Sequence, residues 1–364
     1  MGSGGGGSGG DSSPRTRIIH QQADESNNAA AAAVVSSTSA PSSPLREKIR
    51  LRLSLRDRPL YRDALAEFFG TAFLLFSGCC VNAQYILTRT RYNDWLAVAL
   101  GWGLCLTSAL YLSARTSGGH LNPAVSFFFW TQGKLDARRL GAYTAAQFVG
   151  SFVGALLAFC VYFGNAIAAF DGGTRYVTGA KATAGIFATY PGPHLSWFGA
   201  VVDQIAATAV LCMCAAAVAD RRTGIPGAAQ PIVMGLVLTM IGLTLGLNSG
   251  YAINPTRDLA PRIFTLLAGY GWRVFRCVRR ARLYLSTTNS IRNWTWWFIP
   301  AFLPFVGATL GAWLYDFFIG FHLDQEGDLL DESNDLLDLP ITTTIPEQQP
   351  PQQHVIQIRS HRHN

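Results

Sequence analysis

The sequence predicts an all-α membrane protein in which six transmembrane helices and two re-entrant half-helices form an inverted repeat. Three features lead to this prediction: a shortage of charge, six apolar runs of spanning length, and two shorter apolar runs that open with related strings. Only 14% of the residues are charged, whereas a soluble domain carries about 25%. This composition excludes a disordered, collagen-like or disulfide-stapled body.

The six long apolar runs are the candidate transmembrane helices. A helix needs about 20 apolar residues to cross the bilayer core, and each run comes near this length. The runs also lack the polar stripe that a surface helix of a soluble protein presents. They cover residues 63–84, 95–114, 138–163, 195–219, 230–248 and 294–320.

Charged residues concentrate outside these runs and divide the chain into three parts. Residues 1–62 predict a disordered cytoplasmic arm that ends in a basic juxtamembrane segment, and residues 321–364 predict a disordered cytoplasmic tail, acidic and then rich in Pro and Gln. Residues 63–320 are the membrane domain, with repeat halves 63–163 and 195–320. The basic arm places the N-terminus in the cytoplasm, and six spans return the C-terminus to the same side.

A basic insertion at about 270–293 conflicts with this orientation. It carries six Arg and no acidic residue, yet it would be extracellular, where positively charged loops are uncommon. Because the early spans usually set the orientation, the prediction of cytoplasmic termini is kept. The insertion is either a surface helix or a solvated loop, and the loop is favoured.

Composition and spacing also exclude several functions. The net charge of +7 is divided among segments and builds no basic face, so no nucleic-acid partner is expected. Six of the seven Cys lie in apolar runs without the spacing of a zinc site or a disulfide framework, so neither a metal nor a cofactor is expected. No nucleophile–base pair is recognisable, and the chain is not expected to be an enzyme.

Two related strings mark the internal repeat. Residues 117–124 and 249–256 both read Ser-Gly-x-x-x-Asn-Pro-small, and each follows the second span of its half. Because each half has three spans, the second half must be inverted in the membrane. The third spans also share a pair of glycines four residues apart, Gly150 with Gly154 and Gly307 with Gly311, which suits close helix contact.

The Asn-Pro pairs predict the starts of the two half-helices. Asn is a good N-cap, and Pro fits the first turn of a helix. In an inverted repeat the two N-termini meet near the midplane, where each contributes about half a positive charge that repels cations. The Asn amides can donate hydrogen bonds to a passing oxygen. The predicted midplane residues are Asn122, Pro123, Ala124, Asn254, Pro255 and Thr256.

At these residues the chain resembles the aquaporin (major intrinsic protein) family over about residues 60–320, and within it the animal aquaglyceroporin branch. The resemblance rests on Ser-Gly-Gly-His-Leu-Asn-Pro-Ala-Val (117–125) and Gly-Tyr-Ala-Ile-Asn-Pro-Thr-Arg-Asp-Leu-Ala-Pro-Arg (250–262). It implies a right-handed bundle of six tilted helices and two half-helices. It also implies a homotetramer with one pore per subunit, in contact with membrane lipid and placed in the plasma membrane.

The resemblance also implies a selectivity filter at Trp102, Gly242, Tyr251 and Arg257. Arg257 is a permanent cation that can bond a hydroxyl. The two aromatic residues would offer apolar faces to a carbon backbone. Gly242 is expected to leave room where water-selective members place a His. This wedge matches glycerol, whose hydroxyls lie along one edge.

Other positions resemble the glycerol-conducting branch or are implied to have a structural role. Asp258, Arg262 and Pro300 resemble markers of that branch. In this family, residues at the positions of Glu67, Gln204 and His120 brace the half-helix loops. Thr256 departs from the usual Ala, either harmlessly or as a hydroxyl that narrows the midplane.

The expected function is passive conduction of glycerol and water, with urea and other small neutral solutes as further candidates, while ions and protons are excluded. A water-selective aquaporin is the first alternative, although its expected His at position 242 is absent. A closed-pore structural membrane protein is the second, and two intact Asn-Pro motifs with an Arg argue against it.

Overall fold

The computed structural model of the chain describes residues 43–276 and 296–323. The disorder predicted for residues 1–42 and for the tail from residue 324 onward lies outside the described residues. Residues 277–295, which make up most of the basic insertion, also lie outside the described residues.

The described residues form ten α-helices. In chain order these are α1 (Pro44–Leu53), α2 (Pro59–Leu87), α3 (Trp95–Ser117), α4 (Pro123–Thr131), α5 (Ala137–Tyr162), α6 (Ala168–Asp171), α7 (Trp197–Ala219), α8 (Gln230–Ser249), α9 (Pro255–Thr265) and α10 (Phe298–Phe318). Helices α2, α3, α5, α7, α8 and α10 are long and apolar enough to cross a membrane. Their bounds lie within four residues of the predicted runs, so the all-α membrane fold is confirmed.

The chain divides into two units, residues 1–61 and 62–364. The first unit contains a helix where the sequence predicts a disordered arm. Ser43 begins α1, because its hydroxyl accepts a hydrogen bond from the Arg46 N–H at 3.3 Å. Proline in the first turn and an ion pair between Glu47 and Arg50, one turn apart, also favour the helix. The prediction of disorder is therefore wrong for residues 44–53.

Capping residues set the ends of the spanning helices. The Asp94 and Asp136 carboxylates accept hydrogen bonds from backbone N–H groups in the first turns of α3 and α5, both at 2.9 Å. Gly118 and Gly250 end α3 and α8 in the left-handed region, with φ of 90° and 74°. This conformation suits glycine, and it turns the chain toward the half-helix at the same point of each repeat.

The glycine pairs of the third spans bring two helices together in each half. A Cβ atom on Gly150 would lie 2.5 Å from the Phe68 carbonyl oxygen of α2, so α5 approaches α2 closely. In the second half, a Cβ atom on Gly311 would overlap the Ala209 carbonyl of α7. The two halves therefore use the same small-residue contact, as the sequence predicts.

A reciprocal contact joins the two halves through their second spans. Helix α3 packs on α8, and a Cβ atom on Gly103 would lie 2.5 Å from the Gly235 carbonyl oxygen. A Cβ atom on Gly235 would in turn lie 2.7 Å from the Gly103 carbonyl oxygen. The half-helices also pack across the two halves: α4 packs on α10, and α9 packs on α5. Each half-helix is thus held by a span of the other half.

The close contact at Gly311 gives a stability prediction. Gly311→Ala should lower the free energy of unfolding by about 1–3 kcal/mol, because the added methyl group overlaps the backbone of α7. Gly141→Ala is the matched control, since a Cβ atom there meets nothing within 4 Å. Thermal unfolding of the purified protein in detergent measures both, and equal midpoints for the two variants would refute the close contact.

Candidate functional site

A cavity of about 180 Å³ passes both Asn-Pro motifs. It extends from Gln230, at the start of α8, to Arg257, in the first turn of α9. One group of lining residues is polar and includes Asn122 and Asn254. The remaining wall is largely apolar and includes Leu74, Leu106, Leu110, Val125, Leu211, Met234 and Leu238. The cavity therefore offers polar groups and an apolar surface to a passing molecule.

The two asparagines begin the half-helices and also bind across the repeat. The Asn122 Oδ1 accepts a hydrogen bond from the Ala124 N–H at 2.9 Å, and the Asn254 Oδ1 accepts one from the Thr256 N–H at 3.1 Å. The Asn122 Nδ2 donates to the Ile253 carbonyl, and the Asn254 Nδ2 donates to the Leu121 carbonyl, both at 2.9 Å. We call these two reciprocal bonds the asparagine clasp.

The asparagine clasp changes what the amides can offer a solute. The sequence predicts that both N–H₂ groups can donate to a passing oxygen. Each amide has two N–H donors, and one of them is used in the clasp. Since both asparagines line the cavity, one donor of each amide remains for the solute.

The loops before the half-helices hold strained backbone at matching positions. Leu121 and Ile253, the residues before each Asn, have positive φ values of 52° and 41°. Such conformations cost about 1–3 kcal/mol each for residues other than glycine and persist only where the surroundings impose them. The carbonyls of these same two residues accept the clasp bonds.

Glu67 braces the first loop from α2. Its carboxylate accepts hydrogen bonds from the N–H groups of His120 at 2.9 Å and Leu121 at 2.7 Å. It also accepts from the Ser117 hydroxyl and the Gln147 amide. Glu67 is fully buried, and these four donors compensate its loss of hydration.

Gln204 takes the corresponding place in the second half, with an amide instead of a carboxylate. Its Oε1 accepts a hydrogen bond from the Ile253 N–H at 3.2 Å, and its Nε2 donates to the Ser249 hydroxyl at 2.8 Å. The Ser249 hydroxyl donates in turn to Asp203. His120 lines the cavity, and its Nδ1 lies 3.0 Å from the Ser126 hydroxyl.

The four residues expected to form the filter lie together. The Arg257 Cζ lies 4.5 Å from the centroid of the Trp102 ring. Trp102 and Arg257 are only 4% and 7% exposed, and both line the cavity with Tyr251. The expected role of Gly242 needs correction, because its missing side chain does not leave an opening. The Tyr251 ring occupies that space: a Cβ atom on Gly242 would lie 2.9 Å from the Tyr251 Cζ.

Trp95, which the sequence analysis does not single out, fixes the Tyr251 ring. The two rings meet edge to face with centroids 6.1 Å apart, and the Trp95 Nε1 donates to the Gly242 carbonyl at 3.0 Å. The Tyr251 hydroxyl is buried and has no hydrogen-bond partner among the described residues. This oxygen has almost no exposed surface, so Tyr251 contributes its ring and not its hydroxyl to the cavity lining.

A segment between α6 and α7, which we call the strap (residues 186–189), holds Arg257. The Phe187 carbonyl accepts a hydrogen bond from the Arg257 Nη1 at 3.0 Å. Two residues on, the Thr189 N–H and hydroxyl both donate to Asp258. The strap is thus bound to the first turn of α9 at two points, one of them Arg257.

Asp258 pairs with Arg262 and not with Arg257. Its Oδ1 lies 2.8 Å from the Arg262 Nη2, and both side chains are buried. The same nitrogen donates to the Thr189 carbonyl at 2.6 Å, so the pair also anchors the strap. Arg257 has no ion pair among the described residues.

Two further positions lie outside the cavity lining. The Thr256 hydroxyl donates to the Asn254 Oδ1 at 3.0 Å, so it reinforces the N-cap and does not narrow the midplane. Pro300 is buried in the first turn of α10. Asn82, Trp95, Phe187 and Thr189 support the filter without any motif that could have revealed them.

The Asp220 carboxyl group lies in the connection between α7 and α8. Asp220 accepts hydrogen bonds from Arg222, whose guanidinium lowers the pKa of this carboxyl below its usual value. Arg222 also donates to the Leu323 carbonyl, after α10. The pKa of Asp220 is lower in the folded than in the unfolded state. The Asp220–Arg222 pair therefore stabilises the fold at pH values above the ordinary carboxyl pKa, and this stabilisation is lost as the pH falls through the lowered pKa.

Comparison with known proteins identifies the family. A family model described as "Major intrinsic protein" matches residues 54–315. The chain belongs to the major intrinsic protein family. It is therefore a multi-pass membrane protein of a family of transport channels, not of enzymes.

Individual relatives of this major intrinsic protein are similar over most of its length. Aquaporin-9 of Rattus norvegicus is 40% identical over 278 residues, 76% of this chain and 88% of the relative. Aquaporin-10 of Milnesium tardigradum is 42% identical over 265 residues, 72% of this chain and 64% of the relative. The X-ray structure of the aquaglyceroporin from Plasmodium falciparum superposes with a TM-score of 0.60 at 29% identity, covering 74% of this chain and 99% of that chain.

The buried Asp258–Arg262 pair gives a second prediction. Asp258→Asn should lower the free energy of unfolding by about 3–5 kcal/mol, because Arg262 would be left as a buried cation without its counter-ion. Asp136→Asn is the matched control: its position is exposed, and Asn caps a helix as well as Asp does. Thermal unfolding in detergent compares the two, and an unchanged midpoint for Asp258→Asn would contradict the anchoring role.

Proposed function

We propose that this protein is a passive channel that conducts glycerol and water, and other small neutral solutes such as urea, while it excludes ions and protons. The observation that carries the proposal is the filter: the Arg257 guanidinium lies over the Trp102 ring, and both line one cavity that also passes both half-helix N-termini. No covalent chemistry is required of these residues.

The filter fits a molecule with one polar and one apolar side. Only the Nη1 of Arg257 is used by the strap, and a guanidinium has five N–H donors in a fixed geometry. The Trp102 indole N–H is bonded to Asn82, so Trp102 contributes apolar ring atoms and not its donor to the cavity lining. Glycerol can place its hydroxyls toward Arg257, with its carbon backbone against the apolar atoms of the lining.

The electrostatics of the cavity disfavour cations. Each half-helix N-terminus contributes about half a positive charge near the asparagines, and Arg257 adds a full charge. No Asp or Glu lines the cavity where the structure describes it. A proton or metal ion in this path would meet repulsion without a compensating carboxylate, whereas a neutral solute would not.

The comparisons support the choice of glycerol. The similar proteins include aquaporin-9 of Rattus norvegicus and the aquaglyceroporin from Plasmodium falciparum. A water-selective channel is less well supported, because position 242 carries a Gly where such a channel is expected to have a His. The Tyr251 ring packs against this Gly. A closed structural protein is disfavoured by the cavity itself.

We further propose that both termini are cytoplasmic, in the plasma membrane, and that four copies assemble into a tetramer with one pore each. The basic residues of α1, immediately before the first span, support a cytoplasmic N-terminus and contact with anionic lipid. Exposed leucines on α3 and α8, such as Leu104 and Leu247, give the membrane-facing surface that lipid or a neighbouring subunit would cover.

Paired flux measurements test the function. In proteoliposomes, stopped-flow swelling should show that the protein raises both glycerol and water permeability over protein-free vesicles, because the filter has a donor side and an apolar side. Ion conductance should stay at the background of the same vesicles. Sucrose, a disaccharide far larger than glycerol, is the control solute, and water flux without glycerol flux would reject the proposed substrate.

A further inference from the structure

Asn82, near the end of α2, makes two hydrogen bonds through one side-chain amide. Its Oδ1 accepts from the Trp102 Nε1 at 3.0 Å, and its Nδ2 donates to the Ile186 carbonyl at 3.1 Å. An indole N–H can only donate and a backbone carbonyl can only accept. The two partners therefore admit one orientation of the amide, and Asn82 fits both at once.

The bond to Asn82 completes the confinement of the Trp102 ring. A Cβ atom on Gly78 would lie 2.5 Å from atoms of this ring, so the ring rests directly on α2. Arg257 covers the ring on the cavity side. Contacts with these two residues restrict the ring, and the bond at the indole N–H favours the one side-chain rotamer that keeps the N–H on Asn82.

The second bond of Asn82 reaches the segment that holds the opposite wall of the filter. Ile186 is the first residue of the strap, and the next residue, Phe187, accepts the bond from Arg257. Asn82 therefore connects the Trp102 wall to the Arg257 wall through two residues of backbone. Both strap residues are almost fully buried, which leaves this connection little freedom.

We propose that Asn82 is a positioning residue that sets the preference for glycerol over water by fixing the Trp102 ring relative to Arg257. This inference rests on the proposed function. Without Asn82, the indole N–H lacks its acceptor in a largely apolar cavity and turns toward permeating water or solute. The ring then no longer keeps its position beside Arg257, and the apolar part of the filter changes shape.

The test is the ratio of glycerol to water permeability, because this ratio does not depend on how much folded channel the vesicles contain. Asn82→Val removes both hydrogen bonds and should lower the ratio about 3- to 10-fold, the effect of one lost hydrogen bond. The matched control is Gln84→Leu on the same helix. It removes an amide that bonds the Tyr162 hydroxyl outside the cavity lining, and its ratio should equal that of the parent.

A second variant shows whether Asn82 acts through Trp102. Trp102→Phe keeps a ring but removes the N–H that Asn82 holds, so it should lower the ratio even if Asn82→Val does not fold. In the double variant, Asn82→Val should add little to Trp102→Phe, because the bond is already lost. Full additivity, or a ratio within twofold of the parent for Asn82→Val, overturns the inference.

The parent channel in the same preparations separates the two claims. A parent without glycerol flux contradicts the proposed function itself. A parent that conducts glycerol, together with an Asn82→Val variant of unchanged ratio, contradicts only the role of Asn82.

Discussion

Backbone groups near the centre of a membrane must find hydrogen bonds within the protein, and the asparagine clasp meets this need where the chain is not helical. Asn122 and Asn254 each cap their own half-helix and bind a carbonyl of the other loop. Each loop is therefore completed only when the other is in place. This mutual dependence explains why each half holds a residue with positive φ immediately before its asparagine. These residues are Leu121 and Ile253.

A series of contacts that begins at the asparagine clasp holds the proposed filter residues in place. The first turn of α9, which Asn254 caps, carries Arg257, and the strap fixes this cation from the other side. The strap is anchored by the buried Asp258–Arg262 pair, while Asn82 connects it to the Trp102 ring. In the proposed channel, polyol selectivity therefore depends on the relative position of Trp102 and Arg257, which belong to different halves of the repeat.

The sequence was sufficient for the fold, because length, apolarity and the repeated Asn-Pro motif are local signals. It was not sufficient for contacts between distant segments. Gly242 was expected to leave an opening, but only the fold shows that the Tyr251 ring lies over it. Asn82 sits in an apolar run without a motif, and its partners are 20 and 104 residues away. Helix α1 was missed because a low-complexity arm precedes it.

Replacing Asn254 by serine tests the central claim most directly. Serine caps a helix as well as asparagine, but its short side chain cannot reach the Leu121 carbonyl, so the clasp bond is lost together with the amide donor that faces the cavity. We predict that Asn254→Ser lowers the free energy of unfolding by about 1–3 kcal/mol and reduces glycerol and water flux together. Asn93→Ser, in the loop before α3, is the control and should leave flux unchanged. Parental stability and flux in Asn254→Ser would contradict the account.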